Sequence, residues 1–457
     1  ADGNTLVVGA AFDDSDATGV DGDPNNNNAP NSGAAFVFAR IGPANWVQQA
    51  YIKASNTEAG DVFGVSVGLS GDGNLLVVGA ADESSGATGV NGDETDNSAP
   101  NAGAAFVFVR DAVGVWSQVA YLKPEVIDAS DSFGSYATIS EDGSTILIGA
   151  YTEDSSAVGV NGNAFDNATS ASGAAYAFSR DILGNWTQQA YIKASNPEFA
   201  DLFGWRMALS ATGSRAAISA YLEDSTAAGA NGNQTDNSAT DSGAVYIFDR
   251  DAGGNWSQAA YIKASNTDAD DRFGTALDIS ADGTLLVVGA PGESSSTTGV
   301  NGTQVDNSFA SSGATYIFAD DGFGNWSQQA YIKQTNTDAG DRFGTSVSFA
   351  SLGNRLAVGA NMEDSIAIGI DGDLFDNMAV DSGAIYLFDY DGTAVWSQSN
   401  YLKAPNTDTD DRFGSEVVFS ADGGTLVTVA PLEDAASTSG GDSSDDSAQN
   451  AGAAYIY

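Results

Sequence analysis

A sequence period of 70 residues runs through almost the whole chain of 457 residues. Asp-x-Phe-Gly motifs recur at this spacing and begin at Asp61, Asp131, Asp201, Asp271, Asp341 and Asp411. Tryptophans follow the same spacing, at Trp46, Trp116, Trp186, Trp256, Trp326 and Trp396. A period of this length without a helical pattern indicates that one sheet module is repeated, as in the blades of a propeller.

One repeat, residues 61–130, is predicted to hold four strands. Residues 63–70 alternate larger apolar side chains with small ones, which is typical of a packed inner strand. A tight hairpin leads to residues 75–80, which are apolar enough to be buried on both faces. A long polar loop over residues 81–101 precedes the third strand, 103–110, and a short turn leads to the fourth, 116–123.

Strands one and four of this pattern occur six times in the chain, and strands two and three occur seven times. The sequence therefore predicts an all-β, seven-bladed β-propeller of four-stranded antiparallel blades, whose first and last blades are incomplete. It is interpreted as one domain over residues 1–457, with repeat units near 1–60, 61–130, 131–200, 201–270, 271–340, 341–410 and 411–457. A segment before Ala1 is expected to supply both missing strands; a partner chain is the alternative source.

The charge balance restricts the partners. The net charge is −45, from 61 acidic and 16 basic residues, so the surface is expected to repel nucleic acid and anionic lipid. Cysteine and histidine are both absent, which excludes thiol chemistry, disulfides and histidine-based catalysis within this chain. No apolar run reaches the roughly 18 residues of a membrane-spanning helix, so no membrane insertion is expected.

The Phe-Gly strand followed by Val-Gly-Ala resembles the FG-GAP repeat. The second motif stands at residues 78–80, 288–290 and 358–360, and the resemblance covers essentially the whole chain. It implies the seven-bladed propeller of integrin α subunits and of many secreted bacterial proteins. It also implies a secreted or cell-surface location and an adhesion, recognition or structural role.

Many FG-GAP repeats carry a calcium loop between strands one and two. Here that hairpin holds a single aspartate, as at Asp72, and calcium takes about six to eight oxygen ligands. The long loop between strands two and three is the alternative place, because each copy opens with an acidic residue and most copies continue with Asx-Gly-Asx and Asp-Asn. Copies two and six are richest in carboxylates, and the predicted Ca²⁺ ligands are Glu83, Asp93, Asp96, Glu363, Asp371, Asp373 and Asp376.

Each of these patterns also has a structural interpretation. Asp and Asn close Asx turns on their own backbone, and the motif aspartates are expected to accept backbone N–H groups where the chain enters strand one. The tryptophans are expected to pack between blades, with sugar stacking as the alternative. Surface charge pairing of about 0–1 kcal/mol each is expected for the six lysines, which share one repeat position: Lys53, Lys123, Lys193, Lys263, Lys333 and Lys403.

The predicted function is an extracellular or cell-surface binding, adhesion or structural assembly module. It is expected to bind a protein or glycan ligand at the face that carries the long loops, and self-assembly through exposed blade edges is a second mode of association. A lectin and a polysaccharide-degrading enzyme are the alternatives. The chain is predicted not to be an enzyme, because nearly every carboxylate has counterparts in other blades, and only Trp205 with Arg206 forms a unique constellation.

Overall fold

The computed structural model describes residues 2–43, 45–393, 395–435 and 447–457. Its sheets are the seven blades of a β-propeller, one antiparallel sheet for each sequence repeat, so the predicted fold class is confirmed. The first and the last sheet have three strands, and the blades between them have four, to which the fourth blade adds a short fifth strand, Gly229–Ala230. In the part of the chain that is described, no helix is long and apolar enough to cross a membrane.

The strand boundaries follow the repeat closely. Strand one spans Phe63–Leu69, Tyr136–Ile139, Met207–Leu209, Ala276–Ile279, Phe343–Phe349 and Glu416–Phe419. Strand two spans Thr5–Ala10, Leu75–Ala80, Thr145–Ala150, Arg215–Ala220, Leu285–Ala290, Arg355–Ala360 and Leu426–Ala430. Strand three spans Ala34–Gly42, Ala104–Arg110, Ala174–Arg180, Ala244–Arg250, Ala314–Asp320, Ala384–Tyr390 and Ala453–Ile456. Strand four spans Asn45–Ile52, Trp116–Leu122, Trp186–Ile192, Trp256–Lys263, Trp326–Ile332 and Trp396–Leu402.

By internal contact the chain divides into two compact units. The first comprises Ala1–Ala220 with Tyr246–Ala259, and the second comprises Tyr221–Val245 with Ala260–Tyr457. Within each unit the apolar core lies between consecutive blades. In the first unit Val37 and Ile52 of one blade share a cluster with Val78 of the next, and in the second unit Val287 and Val358 are related in the same way.

The Phe-Gly and Val-Gly-Ala motifs allow consecutive blades to approach closely. A Cβ added at Gly79, in strand two, would overlap the carbonyl oxygen of Gly134 in the next blade. The neighbouring Phe133 packs edge-on against Tyr176 with ring centroids 5.3 Å apart. Glycine is therefore required here by backbone-to-backbone proximity, since any side chain would separate the sheets.

Strand one differs from the prediction in four of its six copies, where it begins three residues or, at Met207, four residues after the motif phenylalanine. In the copy at residues 131–134, Ser132 has a φ of 55° and Gly134 a φ of 94°. These two left-handed residues flank the motif phenylalanine and bend the chain into a turn. The same pair occurs at residues 62 and 64, where strand one begins at the phenylalanine, but there too regular pairing resumes only at Ser66.

Candidate functional site

The long loop between strands two and three has the same closed neck in every copy. The acidic residue that opens the loop accepts, at its backbone carbonyl, an N–H from the glycine that ends it; for Gly103 and Glu83 the distance is 2.8 Å. The other six pairs are Gly33–Asp13, Gly173–Glu153, Gly243–Glu223, Gly313–Glu293, Gly383–Glu363 and Gly452–Glu433. Two chain ends fixed side by side make each loop a compact unit of its own.

A buried ion pair lies inside the neck. Lys333 Nζ is 2.9 Å from Glu293 Oε2, and neither side chain is exposed by more than 1%. The same pair joins Lys123 to Glu83 and Lys403 to Glu363, and the remaining copies are Lys53–Asp13, Lys193–Glu153 and Lys263–Glu223. The expectation of surface pairing was wrong, because the lysine at the end of strand four points inward beneath the loop.

Hydroxyl and amide groups complete the hydrogen bonding of each pair. In copy five Tyr331 Oη donates to Glu293 Oε1 at 2.9 Å, and Lys333 Nζ donates to Ser312 Oγ at 2.7 Å. Asn266, from the crossing loop of the preceding repeat, donates to Glu293 Oε1 and accepts from Tyr316. The buried charges are therefore satisfied, and one asparagine connects the loop neck of a blade to the blade before it.

Burial shifts the titration of these groups. Removal from water lowers the pKa of the Lys333 ammonium, although the adjacent Glu293 carboxylate acts in the opposite direction. The pKa of Tyr331 is raised by burial and then by the negative charge of Glu293. The tyrosine therefore stays a neutral hydrogen-bond donor throughout the range in which proteins are handled.

The long loops of copies one to six fold back along the outer strand of their own blade. In copy three Asn161 donates its backbone N–H to the Tyr191 carbonyl at 2.7 Å, and its side-chain oxygen accepts the Tyr191 N–H at 3.0 Å. In copy four the same stretch is a short strand, Gly229–Ala230, which pairs with the end of strand four. The end of the outer strand is therefore already paired, and self-assembly through blade edges stays a prediction that applies to the rest of that strand.

The predicted calcium ligands of copy two have different structural roles. Glu83 accepts from Lys123, Tyr121 and Asn56 inside the neck. Asp93 and Asp96 lie on the loop, where each accepts the backbone N–H two residues further on, at 3.0 and 3.1 Å. These are the Asx turns of the structural interpretation.

Copy six is arranged similarly. Glu363 is in the neck with Lys403, Asp371 accepts the Tyr401 N–H at 3.0 Å, and Asp373 closes an Asx turn to Phe375 at 3.1 Å. Asp376 follows on the same loop. Among the residues described, no three carboxylates are grouped so that they could hold a metal ion. The predicted donors thus do not form a ready ligand set, and calcium binding stays a prediction.

The motif aspartates cap the entry to strand one, as the structural interpretation expects. Asp271 Oδ2 accepts the Asp268 N–H at 2.8 Å, and the copies at Asp61, Asp131, Asp201, Asp341 and Asp411 make the same bond. Burial is the main cause that raises the pKa of Asp271, to about 8, and the charge of Glu293 adds to it. A carboxyl group with this pKa is partly protonated near neutrality.

The tryptophans pack between blades. Trp116 is buried and donates its indole N–H to Gln49 of the preceding blade at 3.2 Å, so the expected packing role is confirmed for this copy. Trp205 and Arg206 lie in an aromatic cluster instead. Tyr151 packs edge-on against Trp205 at 5.3 Å, and the Arg206 guanidinium lies 5.0 Å from the ring centre of Tyr136.

The outer ends of the long loops vary in chemistry while the necks do not. One exposed position is occupied by Asn25, Thr95, Phe165, Thr235, Val305 and Phe375, and a second by Asn28, Ser98, Ala168, Ser238, Ser308 and Met378. Sequence reasoning missed the constant neck and the fold-back pairing. The sequence did contain a signal for the neck. Each of the six lysines follows a loop-opening acidic residue at the same spacing of 40 positions.

The FG-GAP repeat family matches residues 46–108, 186–248 and 256–318 of the chain. A putative 6-phosphogluconolactonase from Bacteroides uniformis has a similar structure, with a TM-score of 0.50 and 11% identity over 94% of this chain and 89% of that chain. Hydrazine synthase from Kuenenia stuttgartiensis has a TM-score of 0.44 and 10% identity, with 86% of each chain covered. No curated protein matches the sequence significantly.

The prediction that this chain is not an enzyme was wrong. A solved propeller with this fold is a putative lactonase, so neither the fold nor its repetition excludes catalysis. At 11% identity the likeness shows the fold alone and transfers no reaction to this chain. The FG-GAP repeats at these three places, within a seven-bladed propeller, support an FG-GAP repeat propeller.

Proposed function

We propose that the protein is an extracellular or cell-surface binding and assembly module that binds a protein or glycan ligand through its long loops. The observation that carries this proposal is the combination of a constant loop neck with variable exposed ends. Rigid scaffolds that present variable loops are the usual construction of recognition surfaces. The proposal makes no claim about catalysis.

The loop conformation supports the proposal because it does not depend on the variable residues. Asn231 in copy four and Asp371 in copy six have the same φ of 55°. Both donate their backbone N–H to a tyrosine carbonyl of strand four, at 2.7 and 2.8 Å. The exposed positions are therefore free to change without altering the backbone that presents them.

The crossing loops support the same face as the binding surface. Asn97 of a long loop donates to Glu58 of the preceding crossing loop at 2.7 Å, and Asn307 donates to Asp268 at 2.9 Å. The two sets of loops therefore lie together, and both are rich in carboxylates. A surface of this charge favours ligands that carry cationic groups.

Binding can be tested with a glycan array and a phage-displayed peptide library, both screened with labelled protein. A variant in which the two exposed loop positions are changed to lysine in copies two to five, which alters the side chain at every one of these positions, is expected to lose the binding of ligands selected by the wild type. Its matched control changes Ile182 and Leu183, which are exposed in the hairpin between strands three and four. Retained binding by the loop variant, or equal loss in the control, would contradict the proposal.

A further inference from the structure

The long loop of copy six differs from the others in its exposed apolar side chains. Phe375 and Met378 are each 77% exposed. Four more large apolar residues of this loop are exposed, at Ile366, Ile368, Ile370 and Val380. We call these six residues the copy-six patch. Copy three exposes two such residues in its loop, Val158 and Phe165, and copy five exposes one, Val305.

The loop geometry places the copy-six patch on one surface. Residues 366, 368 and 370 are exposed and alternate with buried or half-buried neighbours. The two arms of the loop are joined where Ala379 donates to the Asp364 carbonyl at 2.8 Å. In copy two the positions that correspond to Ile366 and Met378 are adjacent, because a Cβ at Gly86 would overlap Ser98 Oγ.

The fold does not need these apolar residues. Copy four has Thr226, Ala228, Thr235 and Ser238 at the positions of Ile366, Ile368, Phe375 and Met378, with the same neck and the same loop backbone. Thr226 Oγ1 even donates to Asp236 there, a bond that Ile366 cannot make to Asp376. Exposing large apolar side chains to water costs free energy, and here they replace polar side chains whose hydrogen bonds are satisfied. A group of exposed apolar side chains marks an interaction surface.

The charges around the copy-six patch indicate what covers it. Five aspartates lie within the same loop, at Asp364, Asp371, Asp373, Asp376 and Asp381. Asp338 adjoins through its bond with Asn377. The cations near this rim are Arg342 and Arg412, beside Asp381. A second copy of the chain would bring its own net charge of −45 to this rim, and an anionic membrane would be repelled as well.

We propose that the copy-six patch is a docking surface for a partner protein that presents an apolar centre surrounded by lysine or arginine. This inference rests on the proposed binding function and assigns one loop and one class of partner to it. The apolar side chains provide the buried area, and the aspartates select the partner and accelerate association.

The test uses a synthetic amphipathic peptide of leucine and lysine, with leucine–glutamate and serine–lysine peptides as controls. Binding to the full chain is measured by fluorescence anisotropy. The variant I366T/I368A/F375T/M378S, which takes the residues of copy four, is expected to bind the leucine–lysine peptide at least about tenfold more weakly. The matched control I182T/L183S changes two exposed apolar residues of the hairpin between strands three and four, outside the long loops, and is expected to bind like the wild type.

Four results would overturn the proposal. The first is equal binding of the leucine–lysine peptide by the wild type and the four-site variant. The second is equal binding of the leucine–glutamate or serine–lysine peptide by the wild type. The third is dimerisation of the wild type but not of the variant in sedimentation, which would make a second copy the occupant. The fourth is binding of phosphatidylcholine vesicles that is lost in the variant, which would make a lipid surface the occupant.

Failure here is distinguishable from failure of the proposed function. If the four-site variant binds the peptides unchanged while the lysine substitutions in copies two to five abolish array or library ligands, the loops bind ligands but not through copy six. If neither set of substitutions changes any binding, both proposals are wrong. Circular dichroism and melting of each variant show whether the fold is retained.

Discussion

At the residue scale, the unusual feature is that every lysine of the chain occupies one kind of buried site. A buried ammonium group loses its hydration, so it is tolerated only when a countercharge and hydrogen-bond acceptors replace the water. Glu293 and Ser312 provide these for Lys333, and Tyr331 orients the glutamate. The pair is thus a means of fixing the loop neck rather than a large net source of stability.

Replacing Lys333 by methionine is expected to destabilise the protein by about 3–5 kcal/mol, because Glu293 would remain buried without its countercharge. The double variant K333M/E293Q is expected to lose much less than the sum of the single variants. Urea denaturation of the wild type, both single variants and the double variant measures this coupling. The control is Arg355→Met, which breaks a half-exposed pair with Asp389 and is expected to cost about 0–1 kcal/mol.

Gly64 and Gly60 separate backbone strain from steric overlap. Both have a φ of 91°, but a Cβ at Gly64 would overlap the Ala34 carbonyl oxygen, whereas a Cβ at Gly60 meets nothing within 4 Å. Gly60→Ala is expected to cost about 1–2 kcal/mol from the left-handed backbone. Gly64→Ala is expected to cost a further ~1–3 kcal/mol from overpacking between blades. Equal melting temperatures for the two variants would show that the blades are not in tight contact at this motif.

At the scale of elements, the long loop acts as a short additional strand. It pairs with the end of strand four through Val90, Val160, Val300 and Ile370 in their respective copies. A strand edge that is already paired does not hydrogen-bond to another strand. The loop therefore both presents its exposed end and protects the edge of its blade from such pairing. The fold-back therefore links the stability of the blade edge to the position of the candidate binding surface.

The side chain of Asn161 is expected to hold this pairing in copy three. Asn161→Gly keeps the left-handed φ of 56° accessible but removes the acceptor for the Tyr191 N–H. Hydrogen exchange at the Tyr191 amide should therefore become about fivefold faster, as expected for the loss of a bond worth ~1 kcal/mol. Asn161→Ala adds backbone strain and should open the loop further. The Tyr261 amide in copy four serves as the internal reference, and unchanged exchange at Tyr191 would contradict the assigned role.

At the scale of the whole molecule, two electrostatic features both lower the stability of the folded state as the pH rises. The net charge of −45 destabilises the compact state by self-repulsion. Buried motif aspartates add to this, since burial raises the pKa of Asp61, Asp131, Asp341 and Asp411 to about 7 and that of Asp271 to about 8. Their ordinary value is 3.8.

Stability is therefore expected to fall as the pH rises from about 4 to 8. Within this window the folded state holds protons that the unfolded chain has already released, so raising the pH favours unfolding. Urea titrations at pH 5 and pH 8 measure the difference, and 0.5 M NaCl separates the screened surface repulsion from the buried aspartates. Asp271→Asn is expected to reduce the pH dependence in high salt. A protein that is more stable at pH 8 than at pH 5 would contradict the assigned pKa values.

Much of the fold was predictable, because repetition multiplies a weak local signal. The alternation in residues 63–70 and the apolar run in residues 75–80 gave strands in nearly the observed positions, and six or seven copies made the interpretation specific. The late start of strand one was not predictable in the same way. The motif has the same two left-handed residues in all six copies, and the turn that they form is not visible in the local apolar pattern.

The candidate site was less predictable, since its residues are far apart in sequence. Glu293 and Lys333 are 40 positions apart, and sequence alone suggested a metal ligand for one type of residue and a surface charge for the other. Burial decides between these interpretations, because a lysine enclosed by the loop neck must be paired. Asp93 illustrates the same point, as its carboxylate completes a local turn in the folded loop.

The sequence by itself determined the seven-bladed architecture, the places of its strands and the acidic character of its loops, because those properties repeat within short segments. Only the tertiary structure decided that the lysines lie beneath the loops, that the loops cover the ends of the outer strands, and that copy six exposes its apolar residues together. Those outcomes depend on which distant groups lose their water on folding, and pairing across such distances is not encoded in any local pattern.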